Sequence, residues 1–267
     1  MCTGFKSTVA YELDVERTVC GSIREPLMFW IYQSLAGKPS STRFAYVRDL
    51  ERVDFVARDD IRLGGYKLAG STPRKGYLLV AQGNAMLADQ LVADLQTFRD
   101  LGFDVYIFDY RGYGISAGKS RLAAIISDYS EIVTHLNALG YRKHLLYGLS
   151  MGGVVLLNAV GRSQDFHAAV IDSSPSRISY LGCPEIYDPV NNLPSDSSRI
   201  RIIVGERDAV VTPEQSKELI QAASRRGASV VKRGEFAHPY QDQSNDTHRL
   251  RQKEVSDFLM QHSGDGA

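Results

Sequence analysis

The sequence lacks most of the features that would mark a specialised class of protein. It has no long apolar run: the longest near the start, "PLMFWIY" (Pro26 to Tyr32), is far too short to cross a bilayer. No basic-then-apolar signal design precedes it, so the chain is expected to be soluble and cytoplasmic. Low-complexity tracts and internal repeats are absent. Charge of one sign is not in excess, since 31 Lys and Arg offset 31 Asp and Glu. No basic stripe is present either, and nucleic acid is therefore not an expected partner. Cysteine is scarce. Cys2, Cys20 and Cys183 are an odd number without metal-ligand spacing, which argues for unpaired thiols in a reducing compartment and against a bound metal.

What is present is the balance of an ordinary globular protein, 267 residues long, 43% hydrophobic and 23% charged. The first forty-five residues stand apart. A helix interrupted at Pro26 is expected over Leu13 to Ala36, followed by a linker, "GKPSSTR" (Gly37 to Arg43). Residues 46–267 then read as one domain. "RVDFVA" and "IRLGGYKLAG" form a hairpin joined by "RDD". Short apolar strands follow at Gly76–Gln82, Phe103–Tyr110, His144–Leu149, His167–Ser173, Arg199–Glu206 and Ala228–Gly234. Between them lie an amphipathic helix over Met86–Gly102 and helices over Arg121–Leu139, Met151–Val160 and Pro213–Arg226, with a last one over Asp246–Gln261. Such alternation predicts a mostly parallel twisted sheet of about eight strands with helices on both faces, and an antiparallel strand at its N-terminal edge. Function in such a sheet collects at the carboxyl ends of the strands.

Two stretches spell G-x-S-x-G. In "LLYGLSMGGVVL" a strand runs into Ser150 and a helix leaves it at once. That is the setting of a nucleophile elbow, in which the serine sits on a strained turn and the flanking residues must be small. Met151 opens the helix, so its N–H is free to face an oxyanion. In "GYGISAGKS" the strand has already ended and no apolar helix follows, so Ser116 is read as a loop serine. A serine nucleophile needs a base and an acid, in the order Ser, acid, His for this topology. His238, in "GEFAHPY" after the last strand, is the expected base. Asp208, in "IIVGERDAVVTP", is preferred as the acid over Asp172, with Glu206 weaker. The second oxyanion N–H is expected from "VAQGNAM", at Asn84 in preference to Ala85.

Taken together, "QGNA", "DYRGYGISAG", "GLSMGG", "GERDAVVTP" and "AHPY" make the chain resemble an α/β-hydrolase over about residues 50–262, of the short-lid branch that includes peptidase-like and depalmitoylating serine hydrolases. The resemblance implies that "DYRGYGISAG" is a structural loop beside the site. It also implies that Gln82 stands where the family has a histidine, and that its amide braces the oxyanion loop. The implied activity is cleavage of a carboxylic ester or thioester through an acyl-enzyme on Ser150, with no cofactor. Acyl-protein or acyl-lipid thioesterase and peptidase-like amidase activities are the alternatives, and a catalytically silent binding protein is a further one.

Residues 174–198 form the short lid in this reading. Tyr180, Leu181 and Tyr187, with Gln82, are expected to wall a modest pocket for a small or acyl substrate. In the N-terminal helix, Leu27, Trp30, Ile31 and Leu35 share one face. Packing against the hydrolase domain is preferred for them over contact with a membrane or substrate.

Overall fold

The computed structural model describes residues 15–71 and 74–263. Eight strands form one sheet: β1 (Leu50–Val56), β2 (Arg62–Leu68), β3 (Gly76–Ala81), β4 (Phe103–Phe108), β5 (His144–Leu149), β6 (Ala168–Asp172), β7 (Ile200–Gly205) and β8 (Ser229–Arg233), in spatial order β1-β2-β4-β3-β5-β6-β7-β8. β1 and β2 are antiparallel, β2 meets β4 antiparallel, and all later pairings are parallel. The sheet is the one that the spacing of apolar runs predicts.

Two cores explain why the central strands are apolar throughout. Along β3, Tyr77, Leu79 and Ala81 point into one core, shared with α4 (Leu122–Ala138), α5 (Met151–Val160) and α6 (Pro213–Arg225). Leu78 and Val80 point the other way, toward α2 (Ala88–Leu91), α3 (Gln96–Asp100) and α7 (Asn245–Gln261). Each such leucine, fully buried, contributes roughly 1.5–3 kcal/mol. α6 starts as its sequence dictates: Pro213 is its first residue, and Thr212 and Gln215 bond to each other's backbone N–H.

The single helix expected over Met86–Gly102 is two short pieces, α2 and α3. Leu91, Val92, Leu95 and Phe98 are all buried, so the apolar spacing is used. The backbone between them mixes i−3 with i−4 bonds, as in Asp94 N–H to Leu91 O and Leu95 N–H to Leu91 O. Both geometries satisfy the same hydrophobic pattern, which is why periodicity alone does not separate them.

The N-terminal segment departs most from expectation. Its helix, α1, spans only Arg24–Ala36, and Pro26 sits harmlessly in the first turn, where no intrahelical N–H is required. The start expected at Leu13, like Cys2, lies outside the described residues. α1 buries Phe29 and Ala36, while Leu27, Trp30, Ile31 and Leu35 face solvent, Trp30 at 64% exposure. The preferred packing role for those four is thus corrected: the core side of α1 is the opposite one. Glu25 is fully buried and accepts the N–H groups of Val19, Cys20 and Leu122, which ties α1 to the start of α4. The "GKPSSTR" linker is clamped too, since Asp89 accepts Ser40 N–H and pairs with Arg43.

Cys20 and Cys183 form a disulfide, which corrects the reading of unpaired thiols. Nothing in the sequence signals the pairing, because 163 residues separate them. A bridge closing so long a loop contributes about 5 kcal/mol in the chain-entropy account. Cys183→Ser is expected to lower the unfolding free energy by about 3–5 kcal/mol, measured as a fall in the urea midpoint. An unchanged midpoint, with wild type equally indifferent to reductant, would show that the bridge does not form.

Candidate active site

β5 ends at Leu149, and α5 begins at Met151. Ser150 joins them with φ 54° and ψ −115°, a backbone conformation that a side chain adopts only under constraint. The constraint is visible on both sides. The Ser150 N–H donates to Asp172 O at 2.8 Å, and its carbonyl accepts Gly153 N–H at 3.0 Å. Behind the turn, α5 presses so close to β3 that a Cβ on Gly152 would lie 1.9 Å from Ala81 O. Met151, as the first residue of α5, presents its N–H at the positive end of the helix.

β3 and β5 are neighbours, with Ala81 opposite Gly148, so the loop after β3 emerges beside Ser150. A Cβ on Gly83 would stand 3.8 Å from that of Ser150. The next residue, Asn84, is fixed by its side chain, which accepts the Tyr113 hydroxyl at 2.6 Å. Gln82 is fully buried, and neither atom of its side-chain amide has a hydrogen-bond partner among the described residues. The brace expected of that amide is supplied instead by its backbone carbonyl, which accepts the Tyr110 hydroxyl.

Asp208 follows β7 and His238 follows β8, both at the carboxyl edge that carries Ser150. The His238 ring nitrogen Nδ1 stands 2.8 Å from Asp208 Oδ2. The other oxygen, Oδ1, accepts the N–H groups of Val210 and Val211, each at 2.8 Å. Burial works to raise the Asp208 carboxyl, but the His238 hydrogen bond, its charge and the two N–H groups outweigh it and hold the carboxyl below its ordinary range. A carboxylate so placed selects the tautomer with the proton on Nδ1 and leaves Nε2 basic. The rival acid Asp172 is engaged elsewhere, pairing with Arg251 at 2.7 Å and accepting the Tyr147 and Ser173 hydroxyls. Glu206 is exposed.

The second G-x-S-x-G is structural. The Ser116 hydroxyl donates to Asp109 O at 2.7 Å and accepts Gly64 N–H at 2.9 Å. Asp109, whose carboxyl burial pushes up to about 6, accepts the N–H groups of Ala88 and Ile115. Arg111 in the same loop is buried against Asp59 and Asp128.

Residues 174–198 form three short 3-10 turns around buried Asp188, which accepts the N–H groups of Ile178 and Ser179 and the Ser179 hydroxyl. Tyr180 and Leu181 are exposed on this segment, and Tyr187 is half-buried with its carbonyl held by Asn158. No group of three or more His, Cys, Asp or Glu able to hold a metal occurs among the described residues.

Sequence reasoning passed over Arg251 and Asp242, which join in a buried ion pair just below the His238 loop. A signal existed: Arg251 falls on the helical face that Val255, Phe258 and Leu259 bury, where a cation requires a partner.

Comparison with known proteins agrees with this fold. The family model "Serine aminopeptidase, S33" matches residues 72–179. The YfhR protein of Escherichia coli K12 is 25% identical over 231 residues, covering 79% of this chain and 80% of its own. Among solved structures, the Pyrococcus furiosus esterase Pf2001 superposes with a TM-score of 0.68 at 17% identity, over 85% of this chain and 95% of that one. A lidless α/β serine hydrolase from Xanthomonas campestris gives 0.61 at 16% identity, over 79% and 96%. With its eight-stranded sheet, its strand order and these neighbours, the chain has the α/β-hydrolase fold, and its residues 72–179 are similar to the serine aminopeptidase S33 family.

Proposed function

We propose that the protein is a serine hydrolase of carboxylic esters or thioesters. The Ser150 oxygen attacks the substrate carbonyl carbon while its proton passes to His238 Nε2. Asp208 holds the imidazole in register and stabilises its charged form. The N–H groups of Met151 and Asn84 receive the oxyanion. As the carbon–oxygen or carbon–sulfur bond breaks, His238 returns the proton to the departing alcohol or thiol. Water, deprotonated by the same imidazole, then attacks the acyl-enzyme and releases the acid and free Ser150. No step calls for a metal or organic cofactor. The observation that supports this most is the 2.8 Å Asp208–His238 contact on the same sheet edge as a serine at φ 54°. The direct test is labelling by a fluorophosphonate probe alongside turnover of p-nitrophenyl esters, acyl thioesters and aminoacyl amides. Absence of both labelling and turnover would favour a silent binding protein. Preference for the amides would favour the peptidase-like reading that the matched family's name suggests.

The surface beside the lid favours acyl substrates held at a lipid surface. Ile23, Leu27, Trp30, Ile31 and Leu35 are exposed on or beside α1, and Tyr180, Leu181 and Ile186 are exposed on the lid. Arg24 joins the two by donating to Leu181 O. The single acid of α1, Glu25, is buried, so the exposed face offers apolar side chains flanked by Arg24 and Lys38. That pairing suits an anionic bilayer interface. Vesicles of phosphatidylcholine with phosphatidylserine are expected to sediment the wild type and to raise its rate on long-chain esters. The double variant Trp30→Glu/Leu35→Glu should lose both effects and keep wild-type rates on p-nitrophenyl acetate. Failure of the wild type to bind vesicles would remove the lipid reading, and a concentration-dependent dimer dispersed by the variant would assign the face to a second copy.

The expectation of a cytoplasmic location rested on the missing signal design and on unpaired thiols, and the Cys20–Cys183 bridge removes the second of these grounds. Structural bridges persist in oxidising compartments, and we place the working protein in one. No helix among the described residues is long and apolar enough to cross a membrane.

A further inference from the structure

We infer that Arg251, held by Asp242 and Asp172, is a positioning residue that fixes His238 relative to Ser150. The inference rests on the hydrolase reading above and goes beyond it.

Arg251 lies on α7 and is 2% exposed. Every arm of its guanidinium is used. Nε and Nη2 donate to the two oxygens of Asp242 at 2.8 and 2.9 Å, a bidentate pair. Nη1 donates to Asp172 Oδ1 at 2.7 Å, and Nη2 also donates to Ala237 O at 2.6 Å. The plane covers the buried Phe236 ring, with Cζ 4.3 Å from its centroid. One side chain thus touches two structures at once. Ala237 and Phe236 are the two residues before His238. Asp172 is the residue whose backbone carbonyl accepts the Ser150 N–H.

Asp242 closes the loop from its far side. Its Oδ1 accepts the Ala237 N–H at 3.0 Å, so both polar groups of the Ala237 backbone end on the Arg251–Asp242 pair. The Gln241 N–H bonds back to His238 O at 2.8 Å, which closes a tight backbone turn that begins at His238. A planar, permanently charged fork suits this task, whereas a lysine supplies one point of contact. Stability alone would not call for a buried ion pair, since an apolar replacement of like volume is often equal or better. The feature that sets this pair apart is what it holds: the stem of the base and the shelf of the nucleophile.

Misplacement of a reacting group by about an ångström lowers turnover by as much as about 100-fold. Arg251→Ala would leave Asp172 and Asp242 buried without a counter-charge and would be a poor test, because it would not fold well. Asp242→Asn keeps an oxygen for the Ala237 N–H and removes the ionic half of the fork. Arg251→Lys keeps the charge and removes the fork. Both are expected to lower kcat on p-nitrophenyl butyrate by about 10- to 100-fold with KM within about twofold, at temperatures where circular dichroism matches wild type. Fluorophosphonate labelling of Ser150 should slow in proportion. A readout independent of turnover is the downfield proton resonance of His238 Nδ1–H in the free protein. It should be present in wild type, broadened or displaced in both variants, and absent in a His238→Gln control. Folded variants with wild-type kcat and an unchanged resonance would overturn the inference, as would a loss of rate that merely follows the unfolded fraction. If wild type shows no labelling and no turnover, the hydrolase reading fails, and the resonance still decides whether Arg251 and Asp242 position the imidazole.

Discussion

Ser150→Ala should fold like wild type, take up no fluorophosphonate, and lose about 10⁴-fold or more in kcat on any ester that the native chain hydrolyses. The expectation of normal folding has a structural basis. The elbow is held by backbone bonds, from Ser150 N–H to Asp172 O and from Gly153 N–H to Ser150 O, and alanine keeps both. The expected loss is large because Ser150 alone sits on the elbow, and the hydroxyls of the other G-x-S-x-G serine and of Ser173 are engaged elsewhere. Ser116 is committed to Asp109 O and Gly64 N–H in a different loop, and the Ser173 hydroxyl donates to Asp172. Differential scanning calorimetry beside probe labelling separates the two parts of the prediction. Residual turnover above about 1% in a protein free of wild-type contamination would remove Ser150 from the chemistry.

Gly152→Ala is expected to be among the most damaging single methyl additions at the described glycines. The added carbon would need the space of Ala81 O, 1.9 Å away, with Gln82 O at 2.9 Å. Neither atom belongs to a side chain that could rotate aside. α5 would have to lift from β3, opening the core between them and pulling Ser150 from the loop after β3. A cost of about 4 kcal/mol or more follows, beyond the usual range for overpacking, with a fall in Tm of about 10 °C or loss of soluble protein. Gly234→Ala is the control. Its nearest neighbour would be a Glu206 side-chain oxygen at 3.4 Å, and its stability should stay within about 0.5 kcal/mol of wild type. Equal stability of the two variants would mean that the close approach of helix and strand is absent in solution.

Much of the fold could be read from the sequence, because parallel strands buried on both faces must be apolar at every position. "GYLLVAQ" and "HLLYGL" announce themselves in this way. The elbow could be read for a related reason: only a strand ending directly on a helix demands glycines on both sides of a serine. Asp208 and His238 followed from chain order, and their contact at 2.8 Å is consistent with that order. What escaped the sequence depends on distant neighbours. The 163-residue separation of Cys20 and Cys183 carries no local signal. The face of α1 was misassigned because the helix is apolar nearly all round, and an apolar stripe does not say which side meets the body. Arg251 was overlooked because its partners Asp242 and Asp172 come from a loop and a strand that only the tertiary fold brings to α7.

Glu25, Gln33 and Cys20 each make their bonds to a different part of the body: the start of α4, the glycine-rich loop at Gly112, and the lid at Cys183. A fragment beginning at residue 46 would therefore expose the Leu122 amide, leave one sulfur of the lid single, and leave Gly112 O without the Gln33 amide. An expression strategy that trims the chain to the recognisable hydrolase segment would discard a wall of the molecule, and screens run on such a product would measure the damage rather than the protein.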